Sequence, residues 1–335
     1  MASEAEVSPL KLVFLGSDPI ALPLLNWLAG EGRGLAQVVA VVTQPDRPAG
    51  RGQAIAPNAI KAWAVNRGLP VIQPEKLTAE TSAQLALYGA EVALVMAYGQ
   101  ILGDDFIAAP RLGTLNLHTS LLPRYRGASP IQTAIASGER TTGVSLMRIV
   151  KKLDAGPVAD AERIAIGPLD TAQEIEARLA EACVPLLART LPRLGLGDLE
   201  FKPQDDTAAT YCRRLVKADG GLDFAQPAAA LAARVNGLFP WPTCAISLQG
   251  QEIKLGLADA LPGTGSPGEV LGTDANGLRV GTGDGQLRLR RLQRPGGKML
   301  PAAEFLRGFA VPTGTAIASR PMAPLVSPAP FRATR

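Results

Sequence analysis

The order of apolar and polar positions divides the chain into two regimes. In the first, short unbroken apolar runs alternate with stretches of helical period. Leu12 to Leu15 ends at Gly16 and reads as a buried strand. Val38 to Thr43 and Val92 to Ala97 read the same way, and Val71 and Ile72 form a shorter strand. Between them, Ile20 to Leu28, Pro57 to Arg67, Ala79 to Tyr88 and Asp104 to Ala109 carry helical patterns. Pro19 opens the first and Gly68 closes the second. Thr114 to His118 alternates, so Leu115 and Leu117 face one way while Asn116 and His118 face the other. Pro130 to Ala136 predicts a helix, and Thr142 to Val150 with Val158 to Ile166 predicts an antiparallel pair around the turn Leu153 to Pro157. Thr171 and Glu174 form a capping box before a long helix that runs to Leu194. This alternation predicts an α/β fold, an open, mainly parallel, Rossmann-like sheet with helices on both faces.

The second regime begins after a Gly-punctuated break. One helix, Pro227 to Val235, is followed by five short strands with Gly-rich turns. These are Cys244–Leu248, Ile253–Leu257, Gly268–Thr273, Gly277–Thr282 and Gln286–Leu292. That spacing predicts a small β-barrel of the OB type. The expected division is a catalytic domain at 1–195, a linker at 196–215, a C-terminal barrel at 216–320 and a loosely packed Pro-rich tail at 321–335.

Composition narrows the chemistry. The 335 residues include one histidine, which excludes any site built on several His ligands, and no metal site is expected. Cys183, Cys212 and Cys244 are far apart and form no CxxC pair, so three buried thiols in a reducing compartment are expected. Acids precede the first apolar run, unlike a signal peptide, and no apolar stretch approaches the roughly 20 residues of a membrane span. A cytoplasmic protein without membrane contact is expected, with a monomer as the default. The net charge of +4 is unevenly spread. Residues 216–335 hold 13 basic and 8 acidic residues, which permits nucleic-acid contact in that part.

The candidate chemistry centres on Asn116 and His118, near the C-terminal end of a strand, where open parallel sheets bind ligands. Asp154, in the downstream turn, offers a carboxylate. A carboxylate beside an imidazole favours its charged form and orients it, and an Asn amide is a neutral donor for an oxyanion. Together they could polarise a carbonyl for acyl or formyl transfer. Each also has an ordinary structural role at a strand end or turn, and on periodicity alone that reading leads.

Asn116-Leu117-His118-Thr119-Ser120-Leu121-Leu122-Pro123, followed by Leu153-Asp154-Ala155-Gly156, resembles the signature of the formyltetrahydrofolate-dependent formyltransferases. The stretch from Thr43 to Gly52, Val95 to Gly99 and Arg124 to Pro130 resembles the branch of that family that formylates methionyl-tRNA. Tyr211, Phe239 to Pro242 and Thr282 to Gly285 extend the resemblance into the second domain. It implies an enzyme that moves the formyl group of N10-formyltetrahydrofolate to the α-amine of methionyl initiator tRNA. Asn116, His118 and Asp154 would be its catalytic trio, with Asp154 orienting and charging the imidazole. Ser120, Leu121, Leu122 and Pro123 would contact formyl-folate, as would the loop carrying Tyr98, Gly99, Gln100 and Ile101. The loop Pro45 to Pro57 would reach the tRNA acceptor end. Gln53 and Ala54 replace the Lys pair common in the family, so its grip would rest on Arg47 and Arg51.

Further tRNA contacts are expected from Lys217 and from the run Gln286 to Lys298. In a strand, Leu287 and Leu289 pack inward while Arg288 and Arg290 face outward. Arg291 and Arg294 add charge, and no acid interrupts the run. A solvated charged face is the ordinary alternative. A nicotinamide-dependent dehydrogenase is disfavoured, because Gly16-Ser17-Asp18-Pro19 carries one glycine and no GxGxxG cradle. A non-catalytic RNA-binding module would leave the trio idle. A formyl-folate hydrolase or a nucleotide-sugar formyltransferase would share the trio, but the Pro45-Asp46-Arg47-Pro48 loop and the basic second domain favour tRNA over both.

Overall fold

The computed structural model describes residues 8–49 and 54–331. In chain order the elements begin β1 (Leu10–Leu15), α1 (Leu22–Ala29), β2 (Ala36–Val42), β3 (Arg47–Ala49), β4 (Ala54–Ala56), α2 (Ala59–Val65), β5 (Val71–Ile72), α3 (Ala79–Leu87) and β6 (Val92–Val95). There follow α4 (Asp104–Ala108), β7 (Thr114–His118), β8 (Arg126–Gly127), α5 (Pro130–Ala136), β9 (Thr141–Arg148), β10 (Val158–Ala165) and α6 (Ala172–Leu196). The remainder is β11 (Tyr211–Cys212), α7 (Ala228–Gly237), β12 (Cys244–Leu248), β13 (Gln251–Leu261), β14 (Val270–Asp274), β15 (Gly277–Gly281), β16 (Gln286–Gln293), β17 (Leu300–Pro301), α8 (Ala302–Arg307) and β18 (Val326–Ser327).

Two compact units result. The first comprises the described residues within 1–123, 143–164 and 177–208, and the second those within 124–142, 165–176 and 209–335. The segments 124–142 and 165–176 thus join the later part of the chain, a grouping that a linear division of the sequence does not convey.

The first unit is built on a seven-stranded sheet ordered β10-β9-β7-β6-β1-β2-β5. β5, β2, β1, β6 and β7 run parallel, and β9 pairs with β7 in the antiparallel sense. The central strands are apolar except for the exposed Lys11 and Gln37 near the starts of β1 and β2, because both faces are covered beyond them; Phe14, Leu15, Val41 and Val42 are all buried. Val13, Leu15, Ala40, Val42 and Ala93 pack with Leu85 and Phe106 in one core. Helix starts differ slightly from expectation. Asp18 accepts the Ile20 N–H at 3.0 Å and caps a 3₁₀ turn, Pro19–Ala21, so α1 begins at Leu22. Asn58 accepts the Lys61 N–H at 2.9 Å, so α2 begins at Ala59 rather than Pro57. Within the expected Pro45–Pro57 loop the described parts β3 and β4 pair in the antiparallel sense, with Arg47 opposite Ala56 and Pro48 opposite Ile55.

The second unit contains an antiparallel sheet ordered β12-β13-β16-β15-β14, with β17 against β16, consistent with a small barrel. Leu278, Val280, Leu287, Leu289 and Leu292 fill its interior with Leu231 and Val235 of α7. Thr171 donates its backbone N–H to Glu174 at 2.7 Å, the Glu arm of the expected capping box. All three cysteines are buried. The expected loose tail needs correction over 321–331. Leu325 is buried in the core, and Val326 and Ser327 pair with Tyr211 and Cys212 of β11. Arg234 and Arg213 also donate to the Ala323 and Pro324 carbonyls at 3.1 and 3.3 Å. The prolines remove N–H donors, but the carbonyls stay available and are used. Among the described residues, no helix is long and apolar enough to cross a membrane, and no group of three or more His, Cys, Asp or Glu is arranged to hold a metal.

Candidate active site

Strand β7 delivers His118 to the C-terminal edge of the parallel strands. Register pairs His118 with Ser145 and Asn116 with Met147 on β9. Strand alternation puts Asn116 on the same face as His118, and Asn116 is half-buried while His118 is 7% exposed. After β9 the chain turns back, and Asp154 brings Oδ2 to 3.8 Å from His118 Nδ1. That separation is ion-pair range, longer than a hydrogen bond. Asp154 has φ +46°, a left-handed conformation that Asp tolerates better than most residues. Its loop is pinned by Gln204, whose amide donates to the carbonyls of Asp154 at 2.8 Å and Gly156 at 2.7 Å. Gly156 permits the fold-back, since a Cβ there would lie 1.8 Å from the Arg148 carbonyl.

The segment after His118 is fixed from the neighbouring strand. Ser145 Oγ donates to the Ser120 carbonyl at 2.7 Å and accepts the Leu122 N–H at 3.1 Å, and Ser120 itself is fully buried. The parallel strand β6 leads into the second candidate loop. Ala97 and Gly99 have φ +48° and +78°. Tyr98 is buried, which pushes its phenol up to about 12, and its hydroxyl lies 3.3 Å from Gln100 Oε1. Ile101 is 95% exposed. Gly99, Gln100 and Ile101 border a cleft of about 630 Å³ whose other wall includes Gln44, Arg47 and Lys76. The open cleft has an apolar and polar lining that can seat a flat heterocycle, and the imidazole–carboxylate pair at the end of β7 can polarise a carbonyl.

A family model described as "Formyl transferase" matches residues 10–191, and "Formyl transferase, C-terminal domain" matches residues 214–310. The methionyl-tRNA formyltransferase of Pseudomonas fluorescens is 42% identical over 87% of this chain and 91% of its own length. That of Aromatoleum aromaticum is 40% identical over 92% and 96%. The chain belongs to the methionyl-tRNA formyltransferase family. Among solved structures, the N-formyltransferase of Helicobacter canadensis in complex with folinic acid and dTDP-3-aminofucose shares the fold. Its TM-score is 0.61 at 17% identity, over 84% of this chain and 99% of that one.

The basic positions of this formyltransferase separate by their surroundings. Arg47 is exposed and pairs with Glu75 at 2.8 Å. Arg51 lies outside the described residues. Lys217, Arg291 and Arg294 are exposed, and Arg294 also lies over the Phe309 ring at 5.8 Å. Arg288 is different. Its Nη2 sits 2.6 Å from Asp259 Oδ2 and its Nη1 3.3 Å from Asp274, and hydrogen bonds to Asp259 raise its pKa. Arg290 also reaches Asp259, at 3.4 Å. The uninterrupted basic run is therefore not a run of uncommitted cations, because its acids come from β13 and from the end of β14. A bulge adds a second change. Leu257 pairs with Arg291 and Ala258 with Leu289, which leaves Arg290 unopposed, so Arg291 turns outward and Leu292 takes the buried position.

Sequence reasoning missed Gln204, Ser145 and Asp259, which stand in no recognisable spacing, and gave no role to Gln44, which lies in the Thr43–Gly52 stretch; each acts through a segment distant in the chain.

Proposed function

We propose that this chain transfers the formyl group of N10-formyltetrahydrofolate to the α-amine of methionyl initiator tRNA. The methionine amine attacks the formyl carbon, N10 departs with a proton, and tetrahydrofolate and formyl-methionyl-tRNA result. Simple α-amines have pKa values near 7.7–8.0, so a useful fraction is neutral at pH 7 without a dedicated base. The barrier lies in the negative charge that develops on the formyl oxygen. Asn116 and His118 donate to that oxygen, and Asp154 aims the imidazole and balances its charge. The observation that carries this reading is the His118–Asp154 approach of 3.8 Å at the end of β7, in a chain of this family.

Formyl-folate contacts are assigned to Ser120 through Pro123 and to Tyr98 through Ile101, supported by the cleft beside the latter loop. Arg47, Arg51, Lys217, Arg291 and Arg294 are assigned to tRNA phosphates, which makes binding salt-sensitive. Arg288 and Arg290 are assigned chiefly to holding the sheet through Asp259. We extend the reading to a cytoplasmic monomer. Incubation with N10-formyltetrahydrofolate and methionyl-tRNA should yield N-formylmethionine on the tRNA. Formate release without that product would favour a hydrolase instead.

A further inference from the structure

A chain of polar side chains joins the two loops assigned to the two substrates. Gln44, the last residue before the Pro45–Pro57 loop, donates through Nε2 to the Tyr98 carbonyl at 2.8 Å, and its own N–H donates to Ser17 Oγ at 3.0 Å. The Ser17 N–H donates to the Ala97 carbonyl at 3.2 Å, so both ends of this contact hold the loop after β6. On the other side, the Gln44 carbonyl accepts Gln73 Nε2 at 2.8 Å, and Gln73 also donates to Asp46 Oδ1 at 2.9 Å. Lys61 pairs with the remaining Asp46 oxygen. Hydrogen bonds from Lys61 and Gln73 hold the Asp46 carboxyl below its ordinary 3.8. The base of the acceptor loop is therefore fixed, and its fixed point is Gln44.

The fit at the other end is close. Gly99 has φ +78°, and a Cβ there would stand 2.7 Å from Gln44 Nε2. The loop at 97–100 thus takes its left-handed course directly against the Gln44 amide, where glycine suits the conformation and a Cβ would displace that amide. Gln44, Gly99 and Gln100 border one cleft.

We infer that Gln44 is a positioning residue that couples the two loops, so that engagement of the tRNA acceptor end tightens the folate loop and the reverse. This rests on the proposed function, in which 45–57 meets tRNA and 97–101 meets folate. Coupling of this kind is reciprocal, and typical values lie between about 5-fold and 150-fold in affinity.

The test uses the full chain and tetrahydrofolate, which binds without reacting. Its dissociation constant is measured by calorimetry with and without saturating methionyl-tRNA. The wild-type chain should show a ratio of about 5-fold or more. In Gln44→Ala the ratio should fall toward one while melting stays cooperative. Gln44→Glu keeps the size but cannot donate to the Tyr98 carbonyl, and should lose the coupling in the same way. A ratio near one in the wild type, or an unchanged ratio in whichever of the two variants folds, overturns the inference. Failure of the proposed function would look different, because the wild-type chain would then yield no formylated methionyl-tRNA at all.

Discussion

Strands β7 and β16 both present polar side chains at alternate positions, yet tertiary structure treats them in opposite ways. On β7 the fold supplies His118 with one carboxylate from a loop 36 residues later, and both groups stay at the edge of the sheet. On β16 the fold supplies one carboxylate from the adjacent β13 and one from the end of β14, two strands away, and Arg288 becomes 14% exposed and doubly paired. One pairing sets an imidazole beside a single carboxylate at the end of its strand, whereas the other consumes a side chain that the sequence offered to a ligand. Alternation tells which way a side chain projects. What it meets depends on which strand lies next to it.

The largest effect should follow from breaking the β7 side of this contrast. His118→Asn keeps a polar group of similar reach at the end of β7 but removes the imidazole that Asp154 approaches. Turnover should drop by about 10²–10³-fold, the typical loss when one oxyanion donor is removed. Melting should change little, because His118 lies at the C-terminal end of β7, beside a carboxylate and not among apolar core side chains. Near wild-type turnover in formylation assays would sink the catalytic assignment, and a collapsed melting transition would mean that the pair is structural.

The fold was legible in the sequence where a segment carries its own signal. Apolar runs between helical patterns announced the parallel strands, and β7 and α5 begin and end where the pattern put them. The antiparallel pair after them was legible as well. Signals that depend on a partner were not. β8, β11 and β18 are two residues each, too short for periodicity, and exist only because they pair with one another. The tail looked loose because prolines lack N–H donors, yet Leu325 carried a hydrophobic signal that composition masked. In the candidate site, the shared face of Asn116 and His118 follows from alternation alone. The Asp154 approach follows from no spacing, since it needs a backward turn that Gly156 permits and Gln204 pins. Asp259 was invisible for the same reason, lying 29 residues before the arginine it neutralises.

An intermediate effect should sharpen the β16 side. If Arg288 is held internally and Arg291 is turned outward by the bulge, the two should respond differently to loss of charge. Replacing Arg291 and Arg294 together with Ala should raise KM for methionyl-tRNA several-fold and flatten its salt dependence by roughly two units of slope. Arg288→Ala should alter that KM by less than about twofold, since a partnered guanidinium has little left for a phosphate. It should instead lower Tm by a few degrees, because Asp259 loses its bidentate partner. The reverse ranking would show that Asp259 releases Arg288 when tRNA arrives.

The smallest effect lies in acid and tests whether the β16 pairings persist. Burial pushes the Asp274 carboxyl up, but the Asn276 N–H and the Arg288 guanidinium outweigh it and hold the group below its ordinary 3.8. A carboxyl depressed in the folded chain contributes stability that is fully present above its unfolded value and lost as pH falls through the folded one. The Tm difference between the wild type and Asp274→Asn should therefore stay constant from about pH 8 to 5 and shrink below about pH 4. Asp274 is partly exposed, so the difference is expected to be only a degree or two. No difference at any pH from 8 to 5 would mean that Asp274 does not hold Arg288 at neutral pH. Arg288 would then rest on Asp259 alone, and the contrast between the two strands would hang on that single bidentate pair.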